Sequence, residues 1–363
     1  TIVIKVGSST VTGADGRIDQ DYLASLADQV AAIRSTGDRV VVVTSGAIAA
    51  GIEALGIKSR PTDMPTLQAT AAVGQVRLVH AYRQLLNERG LIVGQVLVTR
   101  HDTGHRQQYV NACHTLERLL ELGIVPVVNE NDTTAVEEIR FGDNDYLAAV
   151  VAMMVHADLV VLLTDIEGLY SADPRADAGA RLVERVDELT DEHVASAGGP
   201  GTAVGSGGMA TKLEAARALM KAGIPLVVAG GRRPNVVVDA AAGLPVGTLF
   251  AGGAAAVKGR KLWLAYAGHT RGSVTIDDGA RDALCLRGKS LLPAGVLDVT
   301  GSFVVGDPIS LVAGDGRELG RGLAGMSAED LRKVKGLRSA DIGAVLPGWD
   351  GSEVVHRDHL VVF

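Results

Sequence analysis

Aromatic side chains are scarce: Phe, Trp and Tyr together make up 3% of the chain. That leaves little surface on which bases could stack. Cysteine is scarcer still. Cys113 and Cys285 are the only two and lie far apart, which excludes a disulfide framework and a cysteine zinc pattern and fits a reducing compartment. No apolar run has the length of a membrane span, and no basic-then-apolar leader opens the chain. The expectation is a cytoplasmic protein with no membrane partner. Positive charge is not in excess either. A net charge of −7 argues against binding nucleic acid through bulk charge, though not against a local basic patch. What remains is an ordinary globular composition, 47% hydrophobic and 21% charged. A length of 363 residues suits one large domain and one smaller one. The chain opens inside a strand-like segment, TIVIKVG, which leaves room for residues ahead of Thr1.

Up to about residue 250 the pattern alternates. IVIKV (2–6), VVVVT (40–44), LIVGQVLV (91–98), IVPVVN (124–129), LVVLLT (159–164) and IPLVVA (224–229) are short apolar runs rich in β-branched residues. Such runs predict strands buried on both faces. Between them lie amphipathic stretches such as 22–37 and 209–223, the second ending on a predicted Gly223 cap. Strand–helix alternation predicts an α/β fold, a mainly parallel sheet sandwiched by helices. Ligands of such sheets sit at the carboxyl ends of the strands, and KVGSS, TSGA, NEND and TD all fall there. After FAGGAAAVKGRK (250–261) the texture changes to short strand-like pieces broken by Gly and Pro, with helical periodicity mostly lost. This predicts a small β-rich module over about 271–363.

The polar clusters carry the chemistry. KVGSS (5–9) sets a lysine inside an apolar strand, ahead of Gly7, Ser8 and Ser9. A buried lysine is costly unless an anion receives it, and the Gly-Ser turn offers backbone N–H groups to that anion. A strand-edge lysine reaching out to water is the plainer alternative. TSGAIAAG (44–51) repeats the design with Ser45 and Gly46 before a helix, whose N-terminus suits a carboxylate or phosphate. A simple serine cap explains it equally well. GSGGMATK (205–212) is no Walker A loop, because Thr211 stands where a glycine must precede the lysine. It matches G-x-G-x-x-A, but no strand precedes it, so a dinucleotide fingerprint fails its context. A glycine loop leading into a helix remains, with Lys212 in the first turn, where a cation opposes the helix dipole. FGDND (141–145) places Asp143 and Asp145 around Asn144 at another helix start. One carboxylate suffices for a cap; the second needs a cation or ligand. His101 and His105 in HDTGH read as loop histidines, and no protein metal centre is predicted. Two lysines in glycine-rich settings, strand-end hydroxyls and paired aspartates suit phosphoryl transfer, in which a protein positions reactants and neutralises charge.

KVGSS, TSGAIAAG, NENDT, FGDND, LLTDIEGLYSADPR and GGMATK, in this order and spacing, closely resemble the glutamate 5-kinases of the amino acid kinase family. RGSVTID through SLLPAGV to GRGLAG resembles the PUA domain many of them carry. The resemblance implies a catalytic domain over 1–257 and a PUA-like barrel over 271–363. It implies transfer of phosphate from Mg-ATP to the γ-carboxylate of L-glutamate, the first step towards proline, with proline as inhibitor and a homodimer or homotetramer as assembly. By position it assigns Lys5, Lys212 and Asp145 to catalysis and Ser45, Asp132 and Asn144 to glutamate. Lys5, Gly7, Ser8, Thr164, Asp165, Ser206, Gly207, Gly208, Met209, Ala210, Thr211 and Lys212 fall to ATP. Ser8 and Ser206 stand where the family often has threonine, and both keep the hydroxyl. Other carboxylate kinases of the family, for aspartate or N-acetylglutamate, are one alternative. An RNA-binding regulator using the tail is the other, and the tail's acidic balance and few aromatics argue against strong RNA binding.

Overall fold

Alternating side chains decide which way each strand of the N-terminal unit faces, and β1 (Ile2–Val6) sets the pattern. Ile2, Ile4 and Val6 join one core cluster, while Lys5 points to the opposite face. The structure, a computed structural model, describes all residues except 14–15, 136–143, 175–176, 178, 197–207, 254–262, 265–269, 350 and 352. Two compact units emerge, one over 1–103 and 107–256, the other over 104–106 and 257–363. Among the described residues no helix is long and apolar enough to cross a membrane.

The first unit adds β2 (Val40–Val43), β3 (Val93–Val98), β4 (Val125–Glu130), β5 (Leu159–Thr164), β6 (Arg185–Val186), β7 (Leu226–Gly230) and β8 (Thr248–Phe250). Their order is β3-β4-β2-β1-β5-β7-β8-β6. Every pairing is parallel except β7 with β8. β1 lies between β2 and β5, with Lys5 opposite Val43 and Leu162. This interior position excludes the edge-lysine alternative. β3 departs from the expectation of strands buried on both faces. It is the sheet edge, and Leu97 is 38% exposed.

The helices of this unit are α1 (Ser8–Val11), α2 (Gln20–Ser35), α3 (Ala47–Leu55), α4 (Met64–Asn87), α5 (Arg100–Gly104), α6 (Arg106–Glu121), α7 (Asn144–Met154), α8 (Asp191–Ser196), α9 (Met209–Ala222) and α10 (Val236–Ala241). α2, α4 and α10 pack on the Ile2–Ile4–Val6 face. Asp145 of α7 meets Lys5 on the other, and Lys212 of α9 meets Asp145. Asp19 caps α2 by accepting from Tyr22 N, and Asp63 caps α4 by accepting from Thr66 N. α9 ends at Gly223 with φ +76, a left-handed turn that favours glycine. α5 corrects the loop reading of HDTGH for His101, while His105 lies in the bend between α5 and α6 as expected. Thr99 and Asp102 cap α5 reciprocally: Asp102 N donates to Thr99 Oγ1 and Thr99 N to Asp102 Oδ2. His101 is exposed on that short helix.

α3 and α4 cross with almost no space between their backbones. A Cβ added at Gly74 would lie 1.8 Å from Ala47 O, and one at Gly51 1.9 Å from Thr70 O. Neither neighbour is a flexible side chain that could move aside. Alanine in place of a helix-interior glycine normally gains about 0.5–1 kcal/mol. Gly74→Ala is expected to lose about 1–3 kcal/mol instead, because the helices must separate. Thermal unfolding checks the sign, and a rise in Tm would refute the close approach.

The second unit holds β9 (Gly272–Ile276), β10 (Val296–Gly301), β11 (Pro308–Ala313), β12 (Glu318–Leu323) and β13 (Leu360–Val362), ordered β10-β9-β11-β12-β13. β9 and β11 run parallel, and the remaining pairs antiparallel. Its own core gathers Val274, Ile276, Ile309, Leu311, Leu331 and Val355. Among the described residues three helices depart from the β-rich expectation: α11 (Asp278–Cys285), α12 (Ala328–Val334) and α13 (Ser339–Val345). Each is about two turns long, too short for a helical period to stand out. Asp277 and Ser327, the caps of α11 and α12, were the available signals.

Candidate active site

Parallel strands bring their carboxyl ends to one edge of the sheet, so residues remote in sequence converge there. Lys5 near the end of β1, Asp145 in the first turn of α7 and Lys212 in the first turn of α9 form one buried group. Lys5 is 2% exposed, Asp145 0% and Lys212 5%. Lys5 Nζ lies 2.6 Å from Asp145 Oδ1, and Lys212 Nζ 3.1 Å from Asp145 Oδ2. Each lysine thus takes its own carboxylate oxygen. The Thr211 hydroxyl lies 3.1 Å from Oδ2 and 2.8 Å from Gly208 O, and its single proton serves one of them at a time. Burial alone would raise the Asp145 pKa. Lys5 and then Lys212 outweigh it, and the carboxyl is held below its ordinary range. The aspartate is therefore ionised, and the dipole conflict of Lys212 is met by a carboxylate.

The preceding residue, Asn144, anchors a second group. Its Nδ2 donates to Thr44 O at 2.5 Å, to Asn129 Oδ1 at 2.7 Å and to Ser45 Oγ at 3.1 Å. Asn129 Oδ1 also accepts from Glu130 N, and Asn129 Nδ2 donates to Gln75 Oε1 at 2.7 Å. Ser45 is held between β2 and Gly46, the N-cap of α3, whose φ of +100 demands glycine. Asp132 is half-buried in the turn after β4.

The described ones among the remaining sequence-predicted residues lie at strand and helix ends. Gly7 caps α1 and Ser8 is exposed. Thr164 ends β5, buried, and donates to the exposed Asp165 at 3.0 Å. Gly208 caps α9, and Met209, Ala210 and Thr211 form its first turn with Lys212. Ser206, Gly207 and Asp143 lie outside the described residues. Sequence reasoning missed Asn129 as a site residue, although NEND contained it, and missed Gln75 entirely. A glutamine within a 24-residue helix carries no signal of its own.

Comparison with known proteins bears on this arrangement. The amino acid kinase family model matches residues 1–230 and the PUA domain model residues 272–346. A glutamate 5-kinase of Geobacter sulfurreducens is 45% identical over 99% of this chain and 97% of its own. One of Myxococcus xanthus is 46% identical over 99% and 96%. The chain belongs to the glutamate 5-kinases of the amino acid kinase family. The amino acid kinase match spans both buried groups, and the PUA match falls wholly within the second unit. A crystal structure of isopentenyl phosphate kinase covers 68% of this chain and 98% of its own at a TM-score of 0.50 and 19% identity. At that identity the likeness speaks for the amino acid kinase fold alone.

Proposed function

We propose that the protein transfers the γ-phosphoryl group of Mg-ATP to the γ-carboxylate of L-glutamate. The observation that carries this reading is the junction of the two groups. Asn144 and Asp145 are neighbours in one helix turn, one facing Ser45 and Asn129, the other facing two lysines. An acceptor held at the first meets a phosphoryl group neutralised at the second. In this reading Ser45, Asp132 and Asn144 hold glutamate. Gly7, Ser8, Thr164, Asp165 and the stretch from Ser206 to Lys212 hold ATP. Lys5 and Lys212 stabilise the charge that spreads over the transferring group, and Asp145 keeps the two ammonium groups in place. A side-chain carboxylate of ordinary pKa about 4.3 is already ionised at neutral pH, so no general base is required. Mg²⁺ arrives as part of the nucleotide substrate and neutralises phosphate charge. The reaction opens a route from glutamate to proline in the cytoplasm. Proline inhibits it, the catalytic unit is residues 1–257, the module over 271–363 is separate, and the assembly is a dimer or tetramer.

Trapping the acyl phosphate with hydroxylamine tests the assignment. In an ATP-dependent hydroxamate assay, L-glutamate is expected to turn over faster than aspartate or N-acetylglutamate. The opposite order would overturn it.

A further inference from the structure

Gly7 is a glycine for neither of the usual reasons. Its φ of −73 is one that any residue adopts. A Cβ added to it would meet no atom beyond its chain neighbours closer than 3.7 Å. The room left beside the backbone is walled by polar atoms. Leu163 O lies 3.7 Å from that Cβ position, Lys5 Nζ 3.8 Å and Thr10 Oγ1 3.9 Å. Gly7 itself is half-buried, so a molecule at its backbone can reach this space. Leu163 O already accepts from Gly7 N at 3.4 Å. The ammonium can only donate and the hydroxyl is able to donate, so the space suits an oxygen that carries no proton.

Thr10 is the wall to which the phosphate reading gives no part. It is 2% exposed, and its Oγ1 is buried with no partner among the described residues. Its backbone N donates to Gly7 O at 3.1 Å, which ties it to that turn. Its methyl is pinned from the other side. A Cβ at Gly231 would lie 2.8 Å from Thr10 Cγ2 and 3.2 Å from Leu163 Cβ. A β-branched side chain is stiff at χ1, so a seated methyl also aims the hydroxyl. A buried hydroxyl without a partner costs stability, and valine would keep the shape without that cost. The hydroxyl is therefore explained by a partner that arrives with a bound molecule.

We propose that Thr10 is a further nucleotide-binding residue, its hydroxyl donating to a phosphate oxygen of ATP seated against Gly7 beside Lys5. This rests on the reading that Lys5 and Gly7 hold the ATP phosphates. Gly231 is then a positioning residue, kept small so that the Thr10 methyl can seat.

The test combines the hydroxamate assay with thermal unfolding of the full chain, with and without Mg-ATP. Thr10→Val is expected to lower kcat/KM for ATP at least about tenfold, as for loss of a hydrogen bond to a charged group. The L-glutamate KM should stay within about twofold. Without nucleotide its Tm should be no lower than that of wild type, while the rise in Tm at one fixed Mg-ATP concentration should shrink. Thr10→Ser keeps the hydroxyl and should hold kcat/KM for ATP within about threefold of wild type. Wild-type ATP kinetics in Thr10→Val overturn the proposal, and an earlier unfolding beside them would assign the hydroxyl to a buried water. A loss in Thr10→Ser as large as in Thr10→Val overturns it too, because shape and not the hydroxyl would then matter. Should the valine variant fail to fold, Thr10→Ala takes its place, and ATP kinetics equal to those of Thr10→Ser overturn the contact. A wild type that turns over no L-glutamate overturns the proposed function, and the Mg-ATP shift in Tm still decides the role of Thr10.

Discussion

Asp145→Asn is expected to lower kcat by about 10² or more while Mg-ATP still binds. The substitution separates two readings of the residue, a helix cap and a counter-charge for two lysines. Asparagine caps a helix about as well as aspartate, so a capping role predicts almost no change. The charge, by contrast, disappears. Lys5 and Lys212 are then left 2% and 5% exposed without the carboxylate that each now touches at 2.6 Å and 3.1 Å. Removing one partner of a buried pair costs about 3–5 kcal/mol. Part of that is relieved if a lysine loses its proton, and a neutral lysine cannot offset phosphoryl charge. The variant should therefore lose both rate and stability. Its acid response should change as well. Asp145 has a pKa below the ordinary 3.8, so its contribution is fully present above that value and is lost as pH falls through the lowered one. Wild-type stability thus carries an acid-side loss below about pH 3.8 that Asp145→Asn lacks. Turnover under saturating substrates and denaturant unfolding from pH 7 down to about pH 3 measure all three effects. Near-normal rate and stability would return GDND to a plain cap.

The sheet was legible in the sequence because its strands are continuous apolar runs, and a run such as VVVV, fully buried in β2, leaves little choice. The exception within those runs was informative. Lys5 breaks the apolar pattern of β1, and its burial next to Asp145 is the reason. Motifs at strand ends were legible for the same reason, since β1, β2, β4 and β5 run parallel and end on one edge. Relations between distant positions were not. Gln75 and Asn129 are 54 residues apart, and nothing local in either segment announces the other. The contact of Gly51 with Thr70 and of Gly74 with Ala47 is likewise a property of two packed helices. In sequence, each glycine resembles a weak point in a helix. The short helices α11, α12 and α13 were hidden by length, and α5 by the assumption that a glycine-bearing stretch is a loop.

Lys5→Met and Lys212→Met should lose less stability than Asp145→Asn with a comparable loss of rate. Among the three side chains there are two positive charges and one negative. Losing the aspartate leaves two like charges facing each other. Losing either lysine leaves one balanced pair, and methionine fills a similar apolar volume without a charge to desolvate. Removing one partner is costly chiefly where it strands the other charge, and in each lysine variant the remaining lysine still meets Asp145. Each lysine variant is therefore expected to lose less stability than Asp145→Asn. The effect on chemistry should be large, because loss of one contact to developing charge typically costs about 10²–10³ in rate. It should appear in kcat more than in the L-glutamate KM, since the acceptor group around Asn144 and Ser45 is untouched. The double variant should fall short of the product of the two single effects, because both lysines act through one shared carboxylate and its surroundings. Lys5 sits in the central strand and Lys212 at the start of a helix. If only one of the pair lowered kcat, the other would be a counter-ion for Asp145 and no part of the transfer. If neither did, the cluster would be a structural ion pair and the phosphoryl group would have to be neutralised elsewhere.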